Sequence, residues 1–372
     1  MIRRIVAALA VAVVAVPARA DVTLKVEGGS ELDSNVHRTT TERGAEEAAA
    51  GARFGVRVAG EFRPSENSVA RLSGIAAAKL YPEKAASSET VALIAADGRW
   101  DLALGSVAPG IRVAYYDVSD ADSNEGGDSL DHAFRTGAAA LALTLRTPDD
   151  HRLEVSAGAR FFDYKPNQDF DFTGVYLGAQ LGRRVRSEDA TGELAYAAGY
   201  TLSERAYDGP ALANNCPVGE PIEPRCLDIT PLGRSDLFHA FFAEVTWTRA
   251  FIVGARYELQ VNDSNSFGQS LIRHRLELSG TTELFADIFL NAQLVLIVNQ
   301  FLDALLLAGD VGTFITIEDE ARNAVILHLT RDLGPRLAVE ARAALYTNPF
   351  ADANLEYRRM TLYLGFVYDF GR

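Results

Sequence analysis

Cysteine, methionine and tryptophan each occur only twice in 372 residues. Two cysteines exclude a disulfide-dense scaffold and the three- and four-cysteine sets of structural zinc sites. No uncharged apolar run of eighteen or more residues follows Asp21, which excludes a membrane-spanning helix. Positive charge is also short: 36 Lys and Arg stand against 50 Asp and Glu, for a formal charge of -14. Such a chain offers no basic surface to nucleic acid or to anionic lipid, so neither is an expected electrostatic partner.

What is present starts with MIRRIVAALAVAVVAVPARA, a basic start at Arg3 and Arg4, an apolar run and an Ala18-Arg19-Ala20 end. This pattern predicts a secretory signal peptide over 1–20, exported by the ordinary Sec route, with a mature chain opening at Asp21. Without Arg3, Arg4 and Arg19 the formal charge falls from -14 to -17.

After Asp21 the chain alternates apolar and polar residues over segments of about ten residues, the signature of a transmembrane β-barrel. In FIVGARYELQV, Val253, Ala255, Tyr257, Leu259 and Val261 face one way and Gly254, Arg256, Glu258 and Gln260 the other. The same reading places strands at 22–30, 51–63, 68–80, 90–104, 110–118, 132–147, 151–163, 174–186, 192–205, 236–249, 251–262, 270–283, 287–300, 322–332, 336–347 and 357–370. Their connections alternate: PSENS, SVAPG, TPDD, SEDAT, TRA, LFAD and DLGP are short, and those between are longer. Short turns on the periplasmic side and long loops outside are what such barrels show. The expectation is one domain over 21–372, a closed antiparallel all-β barrel of about sixteen strands.

The C-terminal YLGFVYDF sets Tyr363, Gly365, Tyr368 and Phe370 at a spacing that resembles the last-strand signal read by the bacterial barrel-assembly machinery. Over nearly the whole mature length the pattern resembles a Gram-negative outer-membrane β-barrel of porin size. More narrowly, the opening strand ending Asp-Ser-Asn-Val and the final YRRMTLYLGFVYDF are similar to porin-like barrels of surface lipoprotein assembly modifiers. Exopolysaccharide-export porins share that architecture. The resemblance implies outer-membrane lipid and lipopolysaccharide as surroundings, the assembly machinery as a partner, and a periplasmic export or surface partner.

Asp-Ser-Asn occurs at 33–35, 122–124 and 263–265, each time after an odd-numbered strand. Asp and Asn turn the chain by bonding their own backbone, so these tripeptides are expected at the outer rim, where ascending strands stop. In the acidic loop DADSNEGGDSLD, Asp120, Asp122, Asn124, Asp128 and Asp131 approach the spacing of a calcium loop. Glu125 occupies the position where that loop needs glycine, so a solvated acidic segment is the expected reading, with Ca²⁺ the one cofactor considered. Cys216 and Cys226 share the longest outer loop, ALANNCPVGEPIEPRCLD, and are expected to form a disulfide in an oxidising compartment.

The predicted inward faces carry Arg53, Arg57, Arg63, Arg160, Arg184, Arg256, Arg273, Arg275, Arg342 and Arg359 against Glu61, Glu154, Glu258, Glu277 and Glu340. That is a net basic interior in an acidic protein. It reads either as a field that sets ion preference in a water-filled lumen or as cross-strand pairs that fill the interior. The segment 299–319 is apolar for an outer loop, which fits a constriction in the mouth, extended strands thirteen and fourteen, or a partner contact. The six histidines, His37, His132, His151, His239, His274 and His328, form no nucleophile motif. His328 and Thr330 share a face in faint resemblance to outer-membrane lipases, with no identifiable Ser or Asn partner, and no enzyme is expected. The expected function is a channel for polar solutes or an exported polymer such as polysaccharide. The alternative is a structural or assembly barrel, without an open pore, that docks a surface or periplasmic machine.

Overall fold

The computed structural model describes residues 21–36, 48–82, 88–119, 132–147, 149–165, 167–187, 191–217, 226–302, 323–347 and 358–371. Sixteen strands run in chain order: β1 (Asp21–Asp33), β2 (Ala49–Ser65), β3 (Ser68–Leu80), β4 (Ser88–Leu102), β5 (Gly105–Ser119), β6 (His132–Arg146), β7 (His151–Tyr164), β8 (Phe172–Arg186), β9 (Glu193–Asn214), β10 (Leu227–Thr248), β11 (Phe251–Ser264), β12 (Leu271–Glu283), β13 (Ile288–Phe301), β14 (Asn323–Asp332), β15 (Leu337–Thr347) and β16 (Arg358–Asp369). Each pairs antiparallel with its sequence neighbours, and β1 pairs with β16, so the sheet closes. Closure gives each strand of the barrel body a hydrogen-bonding neighbour on both sides and leaves no free sheet edge there.

The register fixes the two faces. Along β16, Arg359, Thr361 and Tyr363 are buried inward while Met360, Leu362, Leu364 and Phe366 are exposed outward. The outer surface continues with exposed Phe54, Ile94, Ile111, Leu141, Val175 and Leu177, a belt far too apolar for water. At the end of the barrel that carries the short turns, Trp100, Trp247, Phe251 and Phe285 form an exposed aromatic rim, as expected where lipid tails meet headgroups.

Two connections differ from the sequence reading. SVAPG is not a turn: β5 begins at Gly105 and Pro109 lies inside it. The β4–β5 ladder runs to Asp97↔Gly110 and resumes at Trp100↔Val107, so the missing proline N–H falls in a gap of the pairing. The long outer loop after Tyr207 is also partly strand, because β9 continues to Asn214 and β10 starts at Leu227. Register shifts on either side of Gly233 absorb Pro210 and Pro231.

Two Asp-Ser-Asn copies stop strands at the loop end, as expected. Asn35 N–H donates to Asp33 Oδ1 (3.1 Å), and Asn35 Nδ2 reaches the Arg358 carbonyl (3.2 Å). Asn265 ties the other copy to β10 through Ser235 N–H (2.8 Å) and the Gly233 carbonyl (3.0 Å). The third copy, the candidate calcium set Asp120, Asp122, Asn124, Asp128 and Asp131, and most of the apolar 299–319 segment lie outside the described residues. The Cys216–Cys226 disulfide is formed at the tip of the β9–β10 hairpin.

Candidate functional site

The strand register turns Arg53, Arg57, Glu61, Arg160, Arg184, Arg256, Glu258, Arg273, Arg275, Glu277, Glu340, Arg342 and Arg359 all toward the lumen. The lumen does not bring them together as one basic wall. It sorts them into two chemically different sides.

On the seam side, where β16 meets β1, the cations are matched by carboxylates. Glu27 takes Arg53 (3.3 Å) and Arg57 (3.1 Å); Glu31 takes Arg53 (3.5 Å) and Lys79 (2.6 Å); Glu89 takes Lys79 (3.2 Å) and Arg359 (2.8 Å). Arg359 also holds both oxygens of Asp33, and the Tyr81 hydroxyl donates to the same carboxylate (3.1 Å). Tyr81 lies just past β3, and burial, reinforced by Asp33 and Glu89, pushes its phenol well above the ordinary value. The ring of Tyr363 lies beneath the guanidinium groups of Arg53 (5.2 Å) and Arg342 (5.9 Å). On this side the cations are balanced by carboxylates that the sequence reading did not count, in keeping with its alternative of cross-strand pairs. The reason is that β1 and β4 contribute Glu27, Glu31, Asp33 and Glu89 to the lumen, all of them buried.

His328 belongs to this side. Its Nε2 meets Glu340 Oε2 at 2.5 Å and Thr330 Oγ1 at 3.3 Å. A nucleophile–base–carboxylate relay needs the two ring nitrogens on different partners, whereas here both contacts fall on one nitrogen. The cluster is therefore built as an anchor for Glu340, which also takes Arg342 (3.8 Å).

Elsewhere many charges pair along one strand. Arg256–Glu258 (2.9 Å), Arg275–Glu277 (2.6 Å) and Arg63–Glu61 (3.3 Å) are separated by two residues, the spacing that keeps side chains on one face of a strand. Arg256 also reaches Glu244 across to β10 (2.8 Å), and Arg184 comes within 3.9 Å of Glu193 on β9.

The opposite side is built from aromatic rings and arginines. Tyr116, Phe134, Phe162, Phe172 and Tyr207, one from each of β5 to β9, form a ribbon with successive centroids 5.1, 5.6, 5.6 and 5.2 Å apart. The β7–β8 connection thickens it: a 3-10 turn over Gln168–Phe170 buries Phe170 against Tyr164 (6.2 Å). That turn approaches β9 so closely that a Cβ at Gly209 would sit 2.5 Å from the Asp169 carbonyl. Beside the ribbon, Arg205 stacks on Phe238 (3.9 Å) and Phe172 (4.8 Å), and Arg234 on Tyr207 (4.0 Å) while pairing with Asp236 (2.6 Å). Arg160 donates to Ser203 (2.8 Å) and Arg273 to Asn299 (2.9 Å).

A cavity of about 570 Å³ lies between ribbon and arginines. Six arginines line it, Arg112, Arg160, Arg205, Arg234, Arg273 and Arg275, and its described lining contains no Asp or Glu. The sequence reading found Arg160, Arg273 and Arg275 but not the other three or the rings. Arg112, Tyr116 and Arg205 lay at the inward parity of strands already assigned, which was the available signal; Arg234 lay in what was read as loop.

The assembly residues divide by face. Tyr363 and Gly365 point into the lumen, whereas Tyr368 and Phe370 are exposed and pack edge to face (4.6 Å).

No protein-family model matches the sequence, and no curated protein matches it. Solved structures do. The chain is similar to outer-membrane expressed OmpT of Vibrio cholerae (11% identity, 95% of this chain and 99% of that one, TM-score 0.44). It is similar also to the anion-selective porin from Comamonas acidovorans (10%, 94% and 100%, 0.45) and to Salmonella typhi OmpF in complex with daunomycin (10%, 94% and 97%, 0.49). On its own geometry, with sixteen strands closed by β1–β16 pairing, an apolar outer belt, an aromatic rim and a charged lumen, the chain is a transmembrane β-barrel of the outer-membrane type.

Proposed function

We propose that this barrel is a bacterial outer-membrane channel for polar solutes that favours anions. The observation that carries the reading is the lumenal cavity lined by six arginines and by no described carboxylate. Sixteen strands enclose a lumen wide enough to hold water, where eight would be filled by side chains. Fixed guanidinium charges in such a lumen concentrate anions and raise the barrier for cations. The apolar belt supports residence in a membrane, and export by the Sec pathway follows from the signal-peptide reading of 1–20. Insertion by the barrel-assembly machinery follows from the Tyr363–Phe370 resemblance.

Single-channel recording in planar bilayers under a KCl gradient tests this. Discrete open steps with an anion-favouring reversal potential are expected, and Arg160→Glu with Arg205→Glu should move that potential toward cations. Silence at every voltage would refute it and favour the second reading, a barrel that serves assembly or docking. One feature supports that alternative: the seam-side network from Glu27 to Arg359 fills its part of the lumen with buried ion pairs.

A further inference from the structure

The outer face of the barrel meets lipid, and several of the polar side chains it carries satisfy one another. Tyr200 and Tyr257 bond His239 (2.8 Å) and His274 (2.7 Å), the Tyr115 hydroxyl donates to Asp117 (2.6 Å), and Arg135 pairs with Asp163 (3.7 Å). One outward row departs from this pattern. His151 on β7, Arg183 on β8 and Tyr196 on β9 stand directly opposite one another in the ladders, at the parity of the outward Leu153 and Leu181. None of their three side chains makes a hydrogen bond or ion pair with a described residue, and Arg183 Nε is buried without an acceptor.

The register also fixes the depth of the row. One step deeper lie Leu153 and Leu181, and one step nearer the short turns lie Val185, Leu194 and Trp247, the last of these part of the aromatic rim. The three donors therefore sit where lipid tails give way to headgroups. An outward arginine is tolerated at that level when its charge finds an anion or water, and the anion that a bilayer itself supplies there is the phosphodiester of a glycerophospholipid. Side chains directly opposite on neighbouring strands start about 5 Å apart, so the long Arg and Tyr side chains and the imidazole can converge on one such group. A guanidinium fork matches two phosphate oxygens at once, while a phenol and an imidazole N–H each add a single donor. Because zwitterionic and acidic headgroups share the phosphodiester, this recognition needs no generally basic surface.

We propose that the His151–Arg183–Tyr196 row is a binding site for one glycerophospholipid, in which the Arg183 guanidinium takes two oxygens of the phosphodiester and His151 and Tyr196 donate to it from either side. The site lies outside the lumen, so it stands or falls independently of conduction.

Native mass spectrometry of the purified full barrel, released from detergent micelles after titration with lipid, tests it with three probes: dioleoyl phosphatidylethanolamine, dioleoyl phosphatidylglycerol and dioleoylglycerol, which has the same chains and no phosphate. Saturable retention of one phospholipid per chain is expected for both headgroups, at least about tenfold tighter than for dioleoylglycerol. Arg183→Ala should weaken that retention at least about tenfold, and Arg183→Lys should restore only part of it, because the charge returns without the fork. Tyr196→Phe should weaken it by about threefold, the loss of one neutral donor. Arg135→Ala, an outward cation that already has its carboxylate, should leave it unchanged. The heat-modifiable band on gels shows that each variant is folded. Equal retention of phospholipid and dioleoylglycerol overturns the proposal, as does an Arg183→Ala barrel that holds phospholipid like the wild type. A wild-type barrel that is released as a dimer without lipid, and as a monomer once Arg183 is replaced, also overturns it, since a second copy of the chain would then be what satisfies the row.

Discussion

Arg359 on β16 holds both carboxylate oxygens of Asp33 on β1, 326 residues away, and so clamps the two ends of the sheet at the loop end of the seam. A third contact, Arg359 to Glu89 (2.8 Å), ties the clamp to β4. The side chains of Arg359, Asp33 and Glu89 are 5%, 0% and 6% exposed. Removing the cation would leave Glu89 with Lys79 and the buried Asp33 with no cation in contact, only the Tyr81 hydroxyl and the Asn35 N–H, and breaking a buried pair costs about 3–5 kcal/mol in comparable cases. Arg359→Ala is therefore expected to lower the thermal midpoint of the band shift in detergent and to slow refolding into liposomes. Arg359→Lys should restore only part of the loss, because an ammonium cannot bridge both acids in the planar geometry. An unchanged midpoint in Arg359→Ala would show that the seam closes through its backbone ladder alone.

Lower on the same seam, Gly29 and Gly365 face each other directly. A Cβ at Gly29 would stand 2.3 Å from the Leu364 carbonyl, and one at Gly365 would stand 2.1 Å from the Tyr363 hydroxyl and 2.7 Å from the Gly28 carbonyl. Neither neighbour set can yield without moving backbone. Gly365→Ala and Gly29→Ala should each destabilise the barrel by about 1–3 kcal/mol, as forced overpacking does, and should lower the yield of folded barrel. Gly280→Ala provides the control, since a Cβ there meets nothing within 4 Å. Equal yields for all three variants would remove the close approach at the seam as the explanation.

Period-two patterning made the strands legible because one face of each must be apolar for lipid, and that demand is repeated in every strand. Where a strand leaves this regime the signal weakened. Pro109 and the Pro210 and Gly233 region read as breaks because local propensity is blind to a ladder gap or a bulge supplied by the neighbouring strand. The lumen side obeys no such simple rule. Glu27 was missed because Gly28 and Gly29 interrupt the alternation of β1, and Glu31 and Asp33 because the first strand was read to end at residue 30; their partners Arg53, Lys79 and Arg359 are distant in sequence. The aromatic ribbon was illegible for the opposite reason: inward Phe134, Phe162 and Phe172 resemble lipid-facing residues until the register assigns their parity.

The Cys216–Cys226 bond closes a loop of ten residues at the tip of a hairpin that carries β9 and β10 above the body of the barrel. On the chain-entropy argument such closure stabilises the local conformation by about 3 kcal/mol, and among the described residues the ladder from Leu212 to Asn214 pairs only with Leu227 to Ile229. Cys216→Ser with Cys226→Ser is expected to open the tip to proteases while leaving the thermal midpoint of the barrel and its conductance steps unchanged. A fall in the barrel midpoint on reduction would mean that the tip passes its order to the barrel through the contacts of Leu212 with Ser266 Oγ (3.0 Å) and the Phe267 N–H (2.9 Å).

Asp171, between the 3-10 turn and β8, accepts the Tyr164 backbone N–H (2.5 Å) at the edge of the aromatic cluster. Burial raises its pKa, an effect partly offset by that hydrogen bond and reinforced by Asp163 and Asp208. A carboxyl whose pKa is raised on folding binds its proton more tightly in the native state. Its contribution to stability is therefore fully present below the unfolded value near 4 and is lost as pH rises through the folded value. The turn over Gln168–Phe170 should accordingly be best protected in mildly acidic solution and loosen as Asp171 ionises, a change that amide exchange at Phe170 can follow. Asp171→Asn should flatten the pH dependence and keep the high protection, because the amide oxygen still accepts from Tyr164 without carrying charge. If the wild type shows the same exchange across that range, the turn is held by Phe170 packing and the carboxylate is a bystander. If protection instead rises with pH, the Tyr164 N–H outweighs burial and the direction assigned to Asp171 is wrong.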